Sequence, residues 1–598
     1  MNSIPTRDEI PAGDRWDLSK LYSTDEAWES DLTYLSTQEE KILSFQDRLH
    51  ESADTLAEYL DLSVEVGKLE ERLGYYAMLR KSEDAGDSTN QARFGRFMQV
   101  ASKIGAAMSF FAPEIQHIPE ERMNEFLADP RLAEYRISLN RVLRYRPHTL
   151  SPAEEKLLAM QEETNQTASK TFGALTDVDL EFGSIKTPEG ERTLSQSSFG
   201  SLLEHSDRDV RKRAFDQFYE RYDAHKNTLS SLLTGSVQLD VYRANVRGFP
   251  SSLESRLFPD NVPVSVYDTL VDTVREHTPL LHRYYELRKR VLQIPDLSVY
   301  DTRVSLVPEV SVKHTFEEAV DTITTALEPL GQEYTTTLRE GLLNGWVDRY
   351  ENKGKRSGAF SAGSFEGDPY ILMNYKEDTI RDVFTLAHEA GHSMHSWYSA
   401  RNNPFQHYDY TIFEAEVAST FNEQLLMRHL LDEHHGSTMH AYLLSKHLDD
   451  ILATLFRQTM FAEFERIIHH QVERGEALTV DSLRADYRSL LETYFGDSVQ
   501  LPESLSLEGL RIPHFYRAFY VYKYATGISA AITLAQRVLT GGETERSEYF
   551  DFLKSGGSRF PIESLRLAGV DMENPQPIRT AMTVFESRLE ELEQALLK

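Results

Sequence analysis

No cysteine occurs among the 598 residues, so disulfides and thiolate metal ligands are both excluded. That suits a reducing cytosol, and a cytoplasmic location is the expectation. No run approaches the ~18 apolar residues that a membrane helix needs. The nearest, around Ala525 to Ala535, is short and interrupted by Thr and Gly. Met1 to Glu9 is polar and carries Pro5, so it lacks a secretory core. A soluble chain with no membrane partner is therefore expected. Basic residues are also scarce: 64 Lys and Arg stand against 95 Asp and Glu, for a net charge of -31. A surface that negative repels phosphate backbones, which argues against nucleic acid as a partner. It would favour basic peptides near a cleft, although most of these carboxylates are expected only to solvate a helical exterior. Internal repeats and low-complexity tracts are absent as well, and no feature of the sequence specifies an oligomeric state.

What is present is mostly helical periodicity. The length corresponds to about four domain-sized units, and one large helical body split by a cleft fits equally. Residues 1–112 alternate charged and apolar positions at helical period, as in Asp25 to Arg48 and Thr55 to Leu79, and carry no catalytic signal. Residues 113–200 continue as helices, are punctuated by Pro147 and Pro152, and end in a stretch from Val178 to Leu194 that reads as a β hairpin about Pro188-Glu189-Gly190. The remainder, 201–598, returns to helices and holds the chemistry. Tyr300 to Val307 reads as extended. Within Gly354 to Tyr375 three glycines precede the apolar run Tyr370 to Met373, predicting a small sheet against the next helix.

That next helix is the centre of the chain. Asp382 to Ser399 reads DVFTLAHEAGHSMHSWYS, and His388-Glu389-Ala390-Gly391-His392 is an H-E-x-x-H pattern. Residues i and i+4 share a helix face, so both imidazoles point the same way and can hold one zinc ion, with room for a third protein ligand and a water. Glu389 sits one residue further round. It can take a proton from a water whose pKa the metal lowers to about 7. Composition alone would generate the pattern in roughly one such chain in twenty. Here, however, Thr379 and Asp382 make a T-x-x-D start signal, and Val383, Leu386, Met394 and Trp397 recur at helical spacing. Two His and a Glu on a helix that can be buried would be costly without a metal.

The third ligand depends on the class of enzyme. A metzincin needs Gly and His further along; His395 and Tyr398 stand there instead. Thermolysin-like and aminopeptidase-like enzymes place a Glu near positions 411 and 412, which hold Thr411 and Ile412. The following stretch, TIFEAEVASTFNEQLLMRHLL, reads as a second helix on which Glu416, Ser419 and Glu423 share a face. Glu416 is the best ligand, and Glu423 a carboxylate that could hold a ligand in place. Glu414 points away and reads as solvated. His434-His435 and His469-His470 have no partner at ligand spacing and read as surface or helix-face residues.

The run HEAGHSMH followed by EAEVASTFNE resembles the thimet oligopeptidase group of zinc peptidases, and within it the oligoendopeptidase F subgroup. Arg15-Trp16-Asp17-Leu18, the segment from Lys355 to Ser361, Tyr370 to Tyr375, and Ile512 to Tyr516 continuing to Tyr524-Ala525-Thr526-Gly527 resemble further segments of that subgroup. The resemblance covers nearly the whole chain. It implies a mainly α fold, a large helical shell in two halves around a deep substrate channel, with small β hairpins near the cleft. It also implies a zinc endopeptidase acting on short, unfolded peptides, with one Zn2+ per chain on His388, His392 and Glu416, and Glu389 as base. His514 and a Tyr hydroxyl would act on the substrate carbonyl. With Pro513 opening a helix, Tyr516, Tyr520 and Tyr524 would share a face; Tyr520 and Tyr522 read as core, Tyr516 ranks first for the carbonyl and Tyr524 second. An edge strand in residues 354–375 would line the cleft and accept a peptide by backbone pairing. A dipeptidyl carboxypeptidase and a non-catalytic peptide-binding scaffold are the rival readings.

Overall fold

The structure is a computed structural model, and it describes residues 4–308, 310 and 312–597. Helix accounts for 72% of it. Among the described residues the sheets are one of two strands and one of three. The fold is mainly α, as the periodicity indicates. The chain divides into two compact units. The first comprises residues 1–147, 311–429 and 534–569, and the second residues 148–310, 430–533 and 570–598.

In the first unit, the long helix Ala53–Glu83 starts at Ser52, whose hydroxyl accepts the Thr55 N–H. Its apolar stripe packs into a core that includes Trp16, Trp28, Leu35, Tyr59 and Leu73. Trp28 is fully buried, and its indole N–H donates to the Leu73 carbonyl at 3.1 Å, so burial leaves no polar atom of that side chain unsatisfied. The opening segment Arg15 to Leu18 is tied to the sheet. The Asp17 N–H donates to the Gly345 carbonyl at 2.7 Å, and the Trp16 ring meets Tyr370 edge-on at 6.3 Å.

The three-stranded sheet runs in the order β3 (Val347–Asp348), β5 (Tyr370–Leu372), β4 (Phe360–Ala362), so β4 is an edge. It is the sheet expected in residues 354–375. A buried ion pair anchors it: Lys355 Nζ lies 2.6 Å from Asp348 Oδ1, with both side chains fully buried, and Arg7 also donates to Asp348. Removing one partner of such a pair costs roughly 3–5 kcal/mol, because the other charge stays buried. The sheet packs against α1 (Ile380–Asn402), the helix that carries H-E-x-x-H. Thr379 caps α1 through its side chain, and Asp382 reaches back to the Lys376 N–H at 2.7 Å. The buried face of α1 includes Val383, Leu386, Ala390 and Met394.

In the second unit the hairpin of β1 (Ser184–Thr187) and β2 (Gly190–Thr193) lies within the stretch expected for it. It is shorter than the alternation implies, because residues 174–179 first form a π-helical turn. Tyr300 to Val307 is not a strand. Asp301 is drawn into a short 3-10 turn and fully buried, where it accepts from Arg208 and Arg211. Helices α3 (Thr438–Ile451) and α4 (Arg457–Glu473) are joined by a π-helical stretch, Leu452–Phe456. The division between units falls inside α2 (Ile412–Glu433) and inside α5 (Tyr522–Thr540). No helix among the described residues is long and apolar enough to cross a membrane.

Candidate metal centre

The i,i+4 spacing does what geometry requires of it. On α1 the His388 and His392 rings stand 4.8 Å apart, nearly perpendicular. From α2, Glu416 Oε2 comes within 3.5 Å of His388 Nε2 and 4.0 Å of His392 Nε2. One ligand atom from each of the three residues lies within 4.8 Å of the others, and this is the one such group among the described residues. Ligand atoms on a tetrahedral zinc sit about 3.3 Å apart, so the group needs to close by roughly 1 Å. Two imidazoles and a carboxylate are a donor set that zinc accepts, so the residues present fit that ion.

The other ring atoms are occupied in a way that aims the donors. His388 Nδ1 bonds Glu423 Oε1 at 3.0 Å, which leaves Nε2 for the metal. His392 hydrogen-bonds the backbone of Ala415. Burial lowers both imidazoles, but at His388 it is outweighed by Glu423, Glu389 and Glu416, which hold the cation up to about 9. At His392 burial wins, with the His388 charge beside it, and takes it down to about 3. One imidazole is thus neutral, and the other keeps a proton that a divalent cation would replace. Burial pushes the Glu389 carboxyl up to about 7; His388 opposes this, and Glu416 adds to it. The Ser361 backbone of β4 hydrogen-bonds that carboxyl, and the Ser361 hydroxyl meets Ser393 of α1 at 2.8 Å.

Gly391 makes the arrangement possible. A Cβ there would lie 2.6 Å from the Ala418 carbonyl oxygen and 2.6 Å from Ser419 Cα, both on α2. The two helices touch at this residue, next to His392 and three positions after His388, and only Gly lets them. Gly391→Ala should therefore force α1 and α2 apart and lose at least ~10-fold in metal affinity, a loss typical of disturbed ligand support, together with ~1–3 kcal/mol of stability from overpacking. Metal-competition titration beside thermal melts checks this; unchanged affinity would show that the contact does not hold the ligands.

Glu414 corrects the reading from sequence. It does not join the ligand cluster, but it is not solvated either. It is 1% exposed, and burial raises it to about 7. Its carboxylate accepts from the Thr411 N–H and hydroxyl, both at 3.3 Å, which closes the first turn of α2. Sequence reasoning also missed Gly391, Ser361 and Ser393. Their signals are close approach and backbone pairing, which periodicity does not report.

His514, Tyr516 and Tyr524 belong to the second unit. The expected common helix is not formed. Pro513–Tyr516 is a short 3-10 turn and α5 begins only at Tyr522. Between them Phe519 takes a left-handed φ of 55°, a conformation that costs a residue with a Cβ about 1–2 kcal/mol. Its N–H donates to Oε1 of the fully buried Glu465 at 2.9 Å. His469, from the same face of α4 and itself buried, packs on Phe519 at 4.5 Å and lies 3.5 Å from Asp240. The break sends the tyrosines apart. Tyr516 packs on Phe172 at 4.4 Å, and its hydroxyl is buried without a partner among the described residues. Tyr520 and Tyr524 instead gather about His514, with ring centroids 6.4 and 6.2 Å from it. Tyr516 ranks first by resemblance; in this structure it is Tyr524, not Tyr516, that lies beside His514. Burial and the nearby Arg517 both lower His514 from its ordinary range.

The chain has clear relatives. The family model for peptidase family M3 matches residues 201–584, and that for oligopeptidase F matches residues 114–182. Oligopeptidase PepF of Bacillus subtilis is 41% identical over 599 residues, covering 100% of this chain and 89% of that protein. Among solved structures, a Chlamydophila abortus protein at 36% identity superposes with a TM-score of 0.94, over 99% of this chain and 100% of that one. Oligoendopeptidase-F from Enterococcus faecium, at 34% identity, gives 0.73 over 96% and 98%.

Proposed function

The chain belongs to peptidase family M3, and from that premise we propose that it is a zinc-dependent endopeptidase for short, unfolded oligopeptides. The observation that carries the reading is the convergence of His388, His392 and Glu416 beside a buried Glu389 whose carboxyl is raised to about 7. These three residues would hold one Zn2+ per chain. When bound, the ion supplies Lewis acidity, lowering the pKa of water toward about 7 and polarising a carbonyl.

The chain's own residues then act as follows. Glu389 removes the proton of the attacking water and delivers it to the leaving amine, as a positioned carboxylate can. Glu423 keeps His388 in the tautomer that presents Nε2. The substrate pairs as a strand with the edge β4, whose Ser361 touches both Glu389 and Ser393. That pairing demands an extended backbone, which a stably folded protein does not offer. By resemblance to the family, His514 and a tyrosine of its segment stabilise the carbonyl oxygen, with Tyr524 now ahead of Tyr516. The sequence modules 1–112, 113–200 and 201–598, and the cytoplasm as compartment, stand as parts of the same proposal. The two family-model matches, at 114–182 and 201–584, support the module boundaries.

A digest of a mixed peptide library, read by mass spectrometry, tests the reading. Internal bonds should be cut in peptides with either free or amidated carboxyl ends, and native folded proteins should be spared. Chelation should abolish cleavage and about one equivalent of zinc should restore it, as for a single catalytic site. Strict removal of dipeptides from free carboxyl ends would favour the dipeptidyl carboxypeptidase. Binding without any cleavage would favour the scaffold.

A further inference from the structure

A cavity of about 470 Å³ lies wholly within the second unit. It falls in the range of small-ligand sites, about 300–1,000 Å³. Its walls are aromatic. Phe199, Phe215 and Tyr219 line one part, and Tyr285 stacks on Phe495 at 5.1 Å in another. Its charge is unusual for a chain carrying a net -31. Four cations line it, Arg303, Lys446, Arg457 and Arg511, against three carboxylates, Glu204, Asp449 and Glu508.

Two of those carboxylates are already committed. Asp449 accepts from the Tyr284 hydroxyl at 2.6 Å and from the fully buried Arg288, which stands behind the lining. Glu508 accepts from Arg457, from Arg511 at 3.0 Å and from the Tyr487 hydroxyl at 2.9 Å. Two guanidiniums thus share one carboxylate. Arg511 uses Nε on Tyr219 and Nη2 on Glu508, and Nη1 has no partner among the described residues. Arg303 and Lys446 are exposed. The π-helical stretch Leu452–Phe456 contributes Leu452, Ala453 and Phe456 to the lining. Such turns are costly and recur at functional sites.

We propose that this cavity binds a small aromatic carboxylate, such as a free or peptide-terminal aromatic amino acid, with its ring among the aromatic walls and its carboxylate on the Arg457–Arg511 pair. A carboxylate supplies the second anion that two guanidiniums sharing Glu508 call for, with Arg511 Nη1 left to donate to it. The aromatic lining favours a ring over an alkyl chain by stacking. The metal ligands all belong to the first unit, and none of them lines this cavity.

Calorimetric titration of the full-length protein with N-acetyl-L-phenylalanine tests the proposal, with N-acetyl-L-phenylalaninamide as the neutral twin. The acid should bind, and the amide should bind at least ~10-fold more weakly, as expected when a charge-assisted pair is lost. Arg511→Met should weaken the acid to the level of the amide. Ala453→Trp, at an exposed lining position, should fill the cavity and abolish binding, with thermal melts checking that the variant folds. His388→Ala should leave the affinity unchanged, because His388 does not line the cavity. Equal affinity for acid and amide, or no binding of either, overturns the proposal. So does binding that survives Ala453→Trp or disappears in His388→Ala.

Discussion

Glu389→Gln should keep its metal and lose turnover by ~10²–10⁴-fold, the span expected when a general base is removed. The amide matches the carboxylate in shape and can still accept the bond from the Ser361 backbone, so neither α1 nor the ligand cluster is disturbed. It cannot take a proton. Glu389 is 7% exposed, and burial rather than any one neighbour raises it to about 7. The sign of the pH effect follows: the base works only when deprotonated, so activity should fall as the pH drops through its pKa. A divalent cation on His388 and His392 moves that pKa below 7 by direct charge attraction. The acid limb of kcat/KM should therefore lie below pH 7 in the wild type and be missing from the residual activity of the variant. Metal analysis and single-turnover rates on the same preparation check both halves. Loss of metal along with activity would reassign Glu389 to a ligand or structural role.

The readable part of the site lay in side-chain spacing on helices. His388, Glu389 and His392 could be placed because i,i+4 geometry is local, and Glu416 followed once Ser419 and Glu423 were put on the same face of α2. The second-helix reading was sound because Phe413, Val417, Phe421 and Leu425 recur at helical period, and all four are buried. The sheet in residues 354–375 was legible from its glycines and from Tyr370 to Met373. What could not be read is contact between elements far apart in sequence. Nothing local to Gly391 announces that Ala418 and Ser419 lie against it. Nothing local to Lys355 announces Asp348 as a buried partner. Glu414 looked solvated because the exposed side of α2 was judged from one helix alone, without the packing that buries it.

The segment from His514 to Tyr524 was misread for a related reason. Its aromatic residues recur at helical spacing, and Pro513 is a good helix opener. The helix is broken all the same, because the buried Glu465 of α4 fixes the Phe519 N–H in a turn. The anchoring group lies 54 positions away, beyond any window of local propensity.

That break makes Tyr524→Phe the more damaging of two otherwise matched substitutions. Each removes one hydroxyl and no ring. Tyr516 has its hydroxyl buried beside Phe172, and burial raises its pKa further above the ordinary tyrosine value, so it is badly placed to meet a developing anion. Tyr524 meets Tyr520 edge-on at 5.4 Å and shares a cluster with His514, whose imidazole is lowered from its ordinary range by burial and by Arg517. If this cluster serves the substrate carbonyl, its hydroxyl acts on charge that exists only in the transition state. Tyr524→Phe should then lose ~10²–10³-fold in kcat with little change in KM, as for removal of an oxyanion-hole donor. Tyr516→Phe should stay within ~3-fold in kcat, since a hydroxyl without a partner contributes little to either state. Thermal melts on both variants separate catalysis from folding, and Tyr516→Phe should melt no lower than wild type because it relieves a buried unsatisfied group. A crippled Tyr516→Phe beside an active Tyr524→Phe would restore the order that the family resemblance implies. If both stay active, the oxyanion role passes to His514 and the metal.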